Sequence, residues 1–204
     1  RMKMNKFLIF GLTLFLSMMI QAQNDHKAIE LLDKTFAKLS NDSGIKASFV
    51  GTESGDLLLK GEKFHLNNGK IQSWYDGKTQ WSYVVDMEEV NISIPTHEEL
   101  QSINPYHILK EYKRDYTCTY KGLYVHNGKN GFSIMLTPKY STNQEIIYVV
   151  ISEKFQPLAM KIEQNGRIIS DINITSYQTN QKLGEKMFRF DKSLYPNAEI
   201  IDLR

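Results

Sequence analysis

The chain has 204 residues, with 25 Lys and Arg against 23 Asp and Glu and a formal charge of +2. Arg1, Lys3 and Lys6 fall in the first 22 residues, which hold no acid, so the remainder carries 22 positive against 23 negative side chains and a net charge of −1. That balance leaves no basic face for nucleic acid, and the single cysteine, Cys118, rules out an intramolecular disulfide.

Residues 1–22 read as a signal peptide. A cationic start precedes the apolar run Phe7 to Ile20, too short for a comfortable membrane span, and Gln-Ala-Gln follows as a cleavage region, with cleavage expected after Ala22. Residues 23–204 are then one exported domain, long enough for a substantial core. Asn24 or Asp25 can cap a helix running to about Ser40, with Ala28, Leu32, Phe36 and Leu39 as its apolar stripe. Asn41 to Gly44 ends it. Six short strand patterns follow: IKASFV, GDLLLK, KFHLN, KIQSWY, TQWSYVV and EVNISI. Between the fourth and fifth, Asp76-Gly77 is a hairpin signal, because such turns need positive φ.

Pro95 stops the strands. Pro95 to Lys113 reads as helical, with Thr96 as a cap, Asn104-Pro105 starting a further turn, and Leu100, Ile103, Tyr106, Ile108 and Leu109 as its apolar set. A segment that interrupts a sheet must lie over a face or at a rim, so it is expected to be a mobile cover. Strands resume with DYTCTYKG, GFSIMLTP, EIIYVVIS, LAMKIEQ and RIISDINITSY, and the tail FRFDKSLYPNAEIIDL holds a last one. EIIYVVIS is apolar on both faces and needs cover on both. The total is about a dozen strands, with a helix in front and a helical insertion midway.

Catalytic and metal motifs do not emerge. None of His26, His65, His97, His107 and His126 has metal-ligand spacing, and no cysteine cluster exists. Gly77-Lys78-Thr79 resembles the end of a phosphate loop, but the first glycine would be Gln72 and a strand follows. Asp42-Ser43-Gly44 has no second such triplet to form a dyad, and no G-x-S-x-G elbow is present. The chain is not expected to be an enzyme, nor to hold a metal or cofactor.

The order of several loose motifs carries a resemblance. Gly55-Asp56-Leu57, then Lys63-Phe64-His65-Leu66, then Asp76-Gly77-Lys78-Thr79 with Trp81, Tyr83, Glu89 and Val90, then FSIMLTPK at Phe132 to Lys139, then Phe188, Phe190 and the strand from Pro196 to Ile201 follow one another. So arranged, the chain resembles the periplasmic carriers of outer-membrane lipoproteins, the LolA-like family, over nearly its whole mature length. The resemblance implies a mainly β fold with helices (α+β): an incomplete, strongly curved antiparallel β-barrel of about 11 strands. An N-terminal helix and a helical lid would close it over an apolar cavity. It implies a non-enzymatic periplasmic chaperone that takes the acyl chains of lipoproteins or lipids from the inner to the outer membrane. Its partners would be acylated lipoproteins or lipids, an inner-membrane release complex and an outer-membrane acceptor, and it would act as a monomer. Candidate cavity residues are Leu58, Phe64, Leu66, Trp81, Tyr83 and Ile92, under a lid formed by Leu100, Ile103, Tyr106, Ile108 and Leu109. The family carries a lid-latching arginine after its Gly-Asp-Leu strand; here the segment is Leu59-Lys60-Gly61-Glu62, so Lys60 is the candidate substitute. Two other readings remain: a lipid-sensing or protein-binding scaffold domain of the cell envelope, and a hydrolase on a β scaffold. The interior separates them, since a carrier needs a large apolar cavity, a scaffold fills it, and a hydrolase lines it with convergent polar groups.

Overall fold

The computed structural model describes residues 23, 25–40, 44–97, 99–100, 105–140 and 145–204. Helix α1 occupies 25–40. A meander follows: β1 (Ile45–Gly51), β2 (Gly55–Lys60), β3 (Lys63–Asn67), β4 (Ile71–Tyr75), β5 (Gln80–Val84) and β6 (Glu89–Ser93). After α2 (Pro105–Asp115) comes a second meander of β7 (Tyr116–His126), β8 (Lys129–Pro138), β9 (Glu145–Ser152), β10 (Pro157–Gln164) and β11 (Arg167–Gln178), and the tail adds β12 (Glu199–Asp202).

All twelve strands form one sheet in the order β12-β6-β5-β4-β3-β2-β1-β11-β10-β9-β8-β7, which does not close on itself. The two meanders join where β1 pairs antiparallel with β11, from Lys46 opposite Gln178 to Gly51 opposite Ile172. At the far end β12 runs parallel to β6, with Val90 opposite Ile200.

Local chemistry sets the turns. Gly77 has φ +99°, and the Asp76 carboxylate accepts from the amides of Lys78 (3.1 Å) and Thr79 (2.9 Å), closing the β4–β5 turn as an Asx turn. Thr96 and Glu99 form a reciprocal capping box: the Thr96 amide donates to the Glu99 carboxylate at 2.7 Å, and the Glu99 amide donates to Thr96 Oγ1 at 3.2 Å. Asp25 is itself helical, so it lies within α1 rather than capping it. Its carboxylate accepts from the Thr119 hydroxyl at 3.3 Å. Asn24 and Ile103 fall outside the described residues.

Apolar side chains cover both faces of the sheet. On the inner face, α1 (Ala28, Leu31, Leu32) and α2 (Ile108, Tyr112) pack on Cys118, Ile134, Leu136, Ile147 and Ile151 of β7–β9. Beside them Leu39, Ile45, Leu59, Phe64, Tyr75 and Leu100 form a second inner cluster. On the outer face Trp74, Tyr83 and Val90 are buried with Ala198, flanked by Phe190 and Tyr195 of the tail. The two apolar sides of β9 divide in the same way. Ile147 and Ile151 lie under the helices, while outside Val150 packs with Leu158 and Ala159 and Lys161 Nζ lies 4.5 Å over the Tyr148 ring.

Candidate functional site

Between the two helices and the sheet lies an apolar pocket of about 90 Å³. Leu39 and Thr35 of α1 and Ile108 and Leu109 of α2 form its roof. Its walls are Ile45 and Ala47 of β1, Leu57 and Leu59 of β2, and residues of β8–β11 including Leu136, Val149, Met160, Ile172, Ile174 and Tyr177. Thr35 donates its hydroxyl to the Leu31 carbonyl at 2.9 Å, so it adds no free polar group to the lining. The walls come from both meanders and meet at the β1–β11 junction, so the pocket exists only once that pairing is made.

The pairing register places the residues singled out from the sequence. Leu58 is opposite His65, His65 opposite Trp74, Trp74 opposite Trp81, and Trp81 opposite Ile92. Leu58, Trp81 and Ile92 therefore share the outer face with Tyr83, away from the pocket. Trp81 and Tyr83 pack with the C-terminal tail there. Phe64 and Leu66 are on the inner face, in the cluster beside the pocket. Leu57 and Leu59 line the pocket in the positions flanking Leu58. Strand alternation reveals two sets of side chains but not which set faces inward. The aromatic richness of β4 and β5 is explained by the tail: Trp74 meets Phe190 and Tyr195 edge-on at 5.6 and 5.8 Å.

Of the lid residues, Leu100 and Ile108 are buried, Leu109 and Tyr106 pack on the inner clusters, and Ile108 and Leu109 reach the pocket. Lys60 reaches the tail: its Nζ donates to the Leu183 carbonyl at 3.1 Å and lies 3.4 Å from Glu185. The ion pair joining this turn to α2 is Glu62 with Lys110. The cation sits on the helix and the acid in the turn between β2 and β3. Further along α2, Lys113 lies 2.7 Å from Asp33 of α1, and the Tyr112 hydroxyl donates to Asp33 at 2.8 Å. Burial pushes the Asp33 carboxyl up, but those two partners outweigh it and hold it below the usual range.

Two histidines, the half-buried His65 and the buried His107, have a buried Nε2 without a hydrogen-bond partner among the described residues. His107 lies on α2 between Tyr75 and Tyr106, with ring centroids at 6.5 and 6.0 Å. Burial lowers its pKa, while Glu62 pulls the other way. Burial likewise lowers His65, which stacks on Trp74 at 4.9 Å. A wider cleft of about 370 Å³, rimmed by Asp25, Lys113 and Lys139, exposes the neighbourhood of Cys118 at the β7 edge. Burial pushes the Cys118 thiol up to about 11, so it stays protonated and unreactive near neutrality. Among the described residues no group of three or more His, Cys, Asp or Glu is placed to hold a metal ion.

A family model described as outer membrane lipoprotein carrier protein LolA matches residues 16–166. The chain belongs to the LolA family. Solved structures resemble the chain at low identity. A conserved protein from Thermus thermophilus superposes with a TM-score of 0.62 at 14% identity, covering 86% of this chain and 99% of that one. MucB gives 0.50 at 14%, covering 81% and 63%. The Mycobacterium tuberculosis lipoprotein LppX gives 0.49 at 11%, covering 78% and 98%. No curated protein sequence matches the chain. LolA-family members are binding and carrier proteins, and the open twelve-stranded sheet under two helices is this chain's version of their fold. Among the described residues no helix is long and apolar enough to cross a membrane.

Proposed function

We propose that residues 23–204 form a single periplasmic carrier domain, exported by the signal peptide of residues 1–22. The domain takes the acyl chains of lipoproteins or lipids against the inner face of its sheet, beneath α1 and α2. The observation that carries this reading is the wholly apolar lining of the pocket under the helices. Each methylene moved from water into such a lining contributes about 0.8 kcal/mol. The contact residues on this reading are Leu57, Leu59, Ile108, Leu109, Met160 and Ile174, with Phe64 and Leu66 extending the surface. The carrier works as a monomer without enzymatic activity, metal or cofactor, collecting cargo at an inner-membrane complex and delivering it to an outer-membrane acceptor.

The pocket's about 90 Å³ is well below the roughly 300–1,000 Å³ typical of small-molecule sites. Loading therefore requires α2 to move outward. That small volume also favours a second reading, a LolA-fold scaffold whose interior is filled by its own side chains and which binds a protein partner.

One experiment separates the two readings. The exported protein is purified and its co-purifying lipid or acylated protein is identified by mass spectrometry, and uptake of a fluorescent acyl chain is titrated. A carrier retains acyl cargo, and Leu59→Asp abolishes uptake; Leu59→Ala, milder to the fold, weakens it. Absence of cargo together with no acyl-chain uptake would overturn the carrier reading in favour of the scaffold.

A further inference from the structure

We propose that the β7–β8 hairpin is a finger that docks the protein on a lipid surface bearing anionic headgroups. β8 pairs with β9 only from Gly131, opposite Ser152, whereas β7 and β8 stay paired out to His126 opposite Lys129. From Val125 to Asn130 the hairpin therefore runs past the end of β9 as a two-stranded projection. Asn127 and Gly128, with φ of +48° and +74°, make its tip a tight turn.

Three consecutive large apolar side chains lie in solvent on β7 where this projection begins: Leu123, Tyr124 and Val125 are 76%, 49% and 66% exposed. A lone exposed leucine needs no explanation, but a contiguous apolar set at the foot of a projecting hairpin marks an interaction surface. Leu123 and Val125 point to one side of the ribbon, and Tyr124, stacked on His126 at 6.2 Å, points to the other. Both sides of the ribbon are thus apolar, which suits insertion into a fluid layer better than apposition to one protein face.

Charge selects the occupant. Lys121 and Lys129 flank the apolar set and are exposed, and no Asp or Glu occurs from Tyr116 to Gln144. The nearest turn, between β9 and β10, offers Glu153, with Lys154 next to it. Apolar and tyrosine side chains bordered by lysines are the chemistry of an interfacial anchor on anionic lipid. None of these finger residues lines the pocket, and the proposal does not depend on what the pocket holds.

Co-sedimentation with protein-free vesicles tests this. The exported protein should bind vesicles of mixed phosphatidylglycerol and phosphatidylcholine, bind pure phosphatidylcholine more weakly, and lose binding as salt is raised. Lys121→Gln with Lys129→Gln should weaken binding to the mixed vesicles roughly thirtyfold. Leu123→Asp with Val125→Asp should abolish it, with the thermal melt and acyl-chain uptake unchanged because these side chains are exposed and outside the pocket. Equal binding to both vesicle types, or aspartate variants that bind like the parent, would overturn the proposal. So would a finding that the same substitutions only dissolve a homodimer or release a bound protein. Loss of acyl uptake by the parent with vesicle binding intact would sink the carrier reading alone.

Discussion

His107 shows how one residue can make this molecule sensitive to acid. It is buried on α2 with no hydrogen-bond partner at Nε2 among the described residues, and burial lowers its pKa. The unfolded chain takes up the proton near the ordinary histidine value of about 6.5, and the folded chain only at lower pH. In that window the unfolded state binds more protons, so stability falls as pH falls. The charges facing His107 are Glu62, which opposes the shift, and Lys110, His97 and Glu111, which partly cancel one another. His65 on the outer face has the same sign of shift, from the same cause. The carboxyls of Asp33 and Glu62 are held low, so their contribution is lost only further into acid, below about 4. Thermal melts should therefore show a first loss of stability that begins as pH falls below about 6.5, ahead of the later carboxylate loss. His107→Phe should shrink that first loss. An unchanged pH profile in the variant would assign the effect elsewhere.

At the scale of elements, α2 is held by two unlike kinds of contact. Tyr112 is buried in the main core and bonded to Asp33, whereas the Lys110–Glu62 pair is about two-fifths exposed on each side (43% and 39%). Tyr112→Ala should cost about 3–5 kcal/mol, as large aromatic truncations do. Lys110→Ala should cost less than about 1 kcal/mol, because water screens an exposed pair. Urea titration of both variants gives the comparison. If α2 is a lid, its amides exchange faster than those of β9 in the empty protein and slow when an acyl chain is bound. Equal protection regardless of ligand would make α2 a permanent part of the core. The strands themselves were largely legible from sequence. The polar and apolar residues of Gln80 to Tyr83 alternate in sequence and lie in β5, Asp76-Gly77 turns the chain, and the Thr96 cap sits where its type and spacing predict. The inward set was not legible. Leu57, Leu58 and Leu59 are the same residue type, and only the placement of the helices and the tail decides that the first and third face the pocket. The attraction of Trp74 and Tyr83 for Phe190 and Tyr195 is equally invisible locally, because more than a hundred residues separate the partners. Lys60 and Lys110 show the same limit: charge type marks both as able to form an ion pair, and only the fold brings Lys60 to Glu185 of the tail and Lys110 to Glu62.

At the scale of the whole molecule, the sheet has a grammar that local reading does not supply. The first meander, β1 to β6, is bracketed by strands of the second half: β11 pairs with β1 at one end, and β12 pairs with β6 at the other. The later half of the chain thus grips the earlier half on both flanks, once antiparallel and once parallel. The tail adds Phe190, Tyr195 and Ala198 across the outer face, and Lys60 and Lys63 bind Glu185. These contacts owe nothing to the covalent link between β6 and α2. If the folded protein is cut at an introduced protease site after the exposed Ile94, the two pieces should stay together through gel filtration and part only in denaturant. Their melting temperature should then rise with concentration, as for any complex whose folding requires association. Pieces that separate spontaneously would show that the chain connection, and not the strand pairing, holds the halves. The pocket wall is shared between those halves, so reassembly would also restore acyl-chain uptake, and the nicked protein would behave as a two-chain heterodimer with its binding site at the subunit interface.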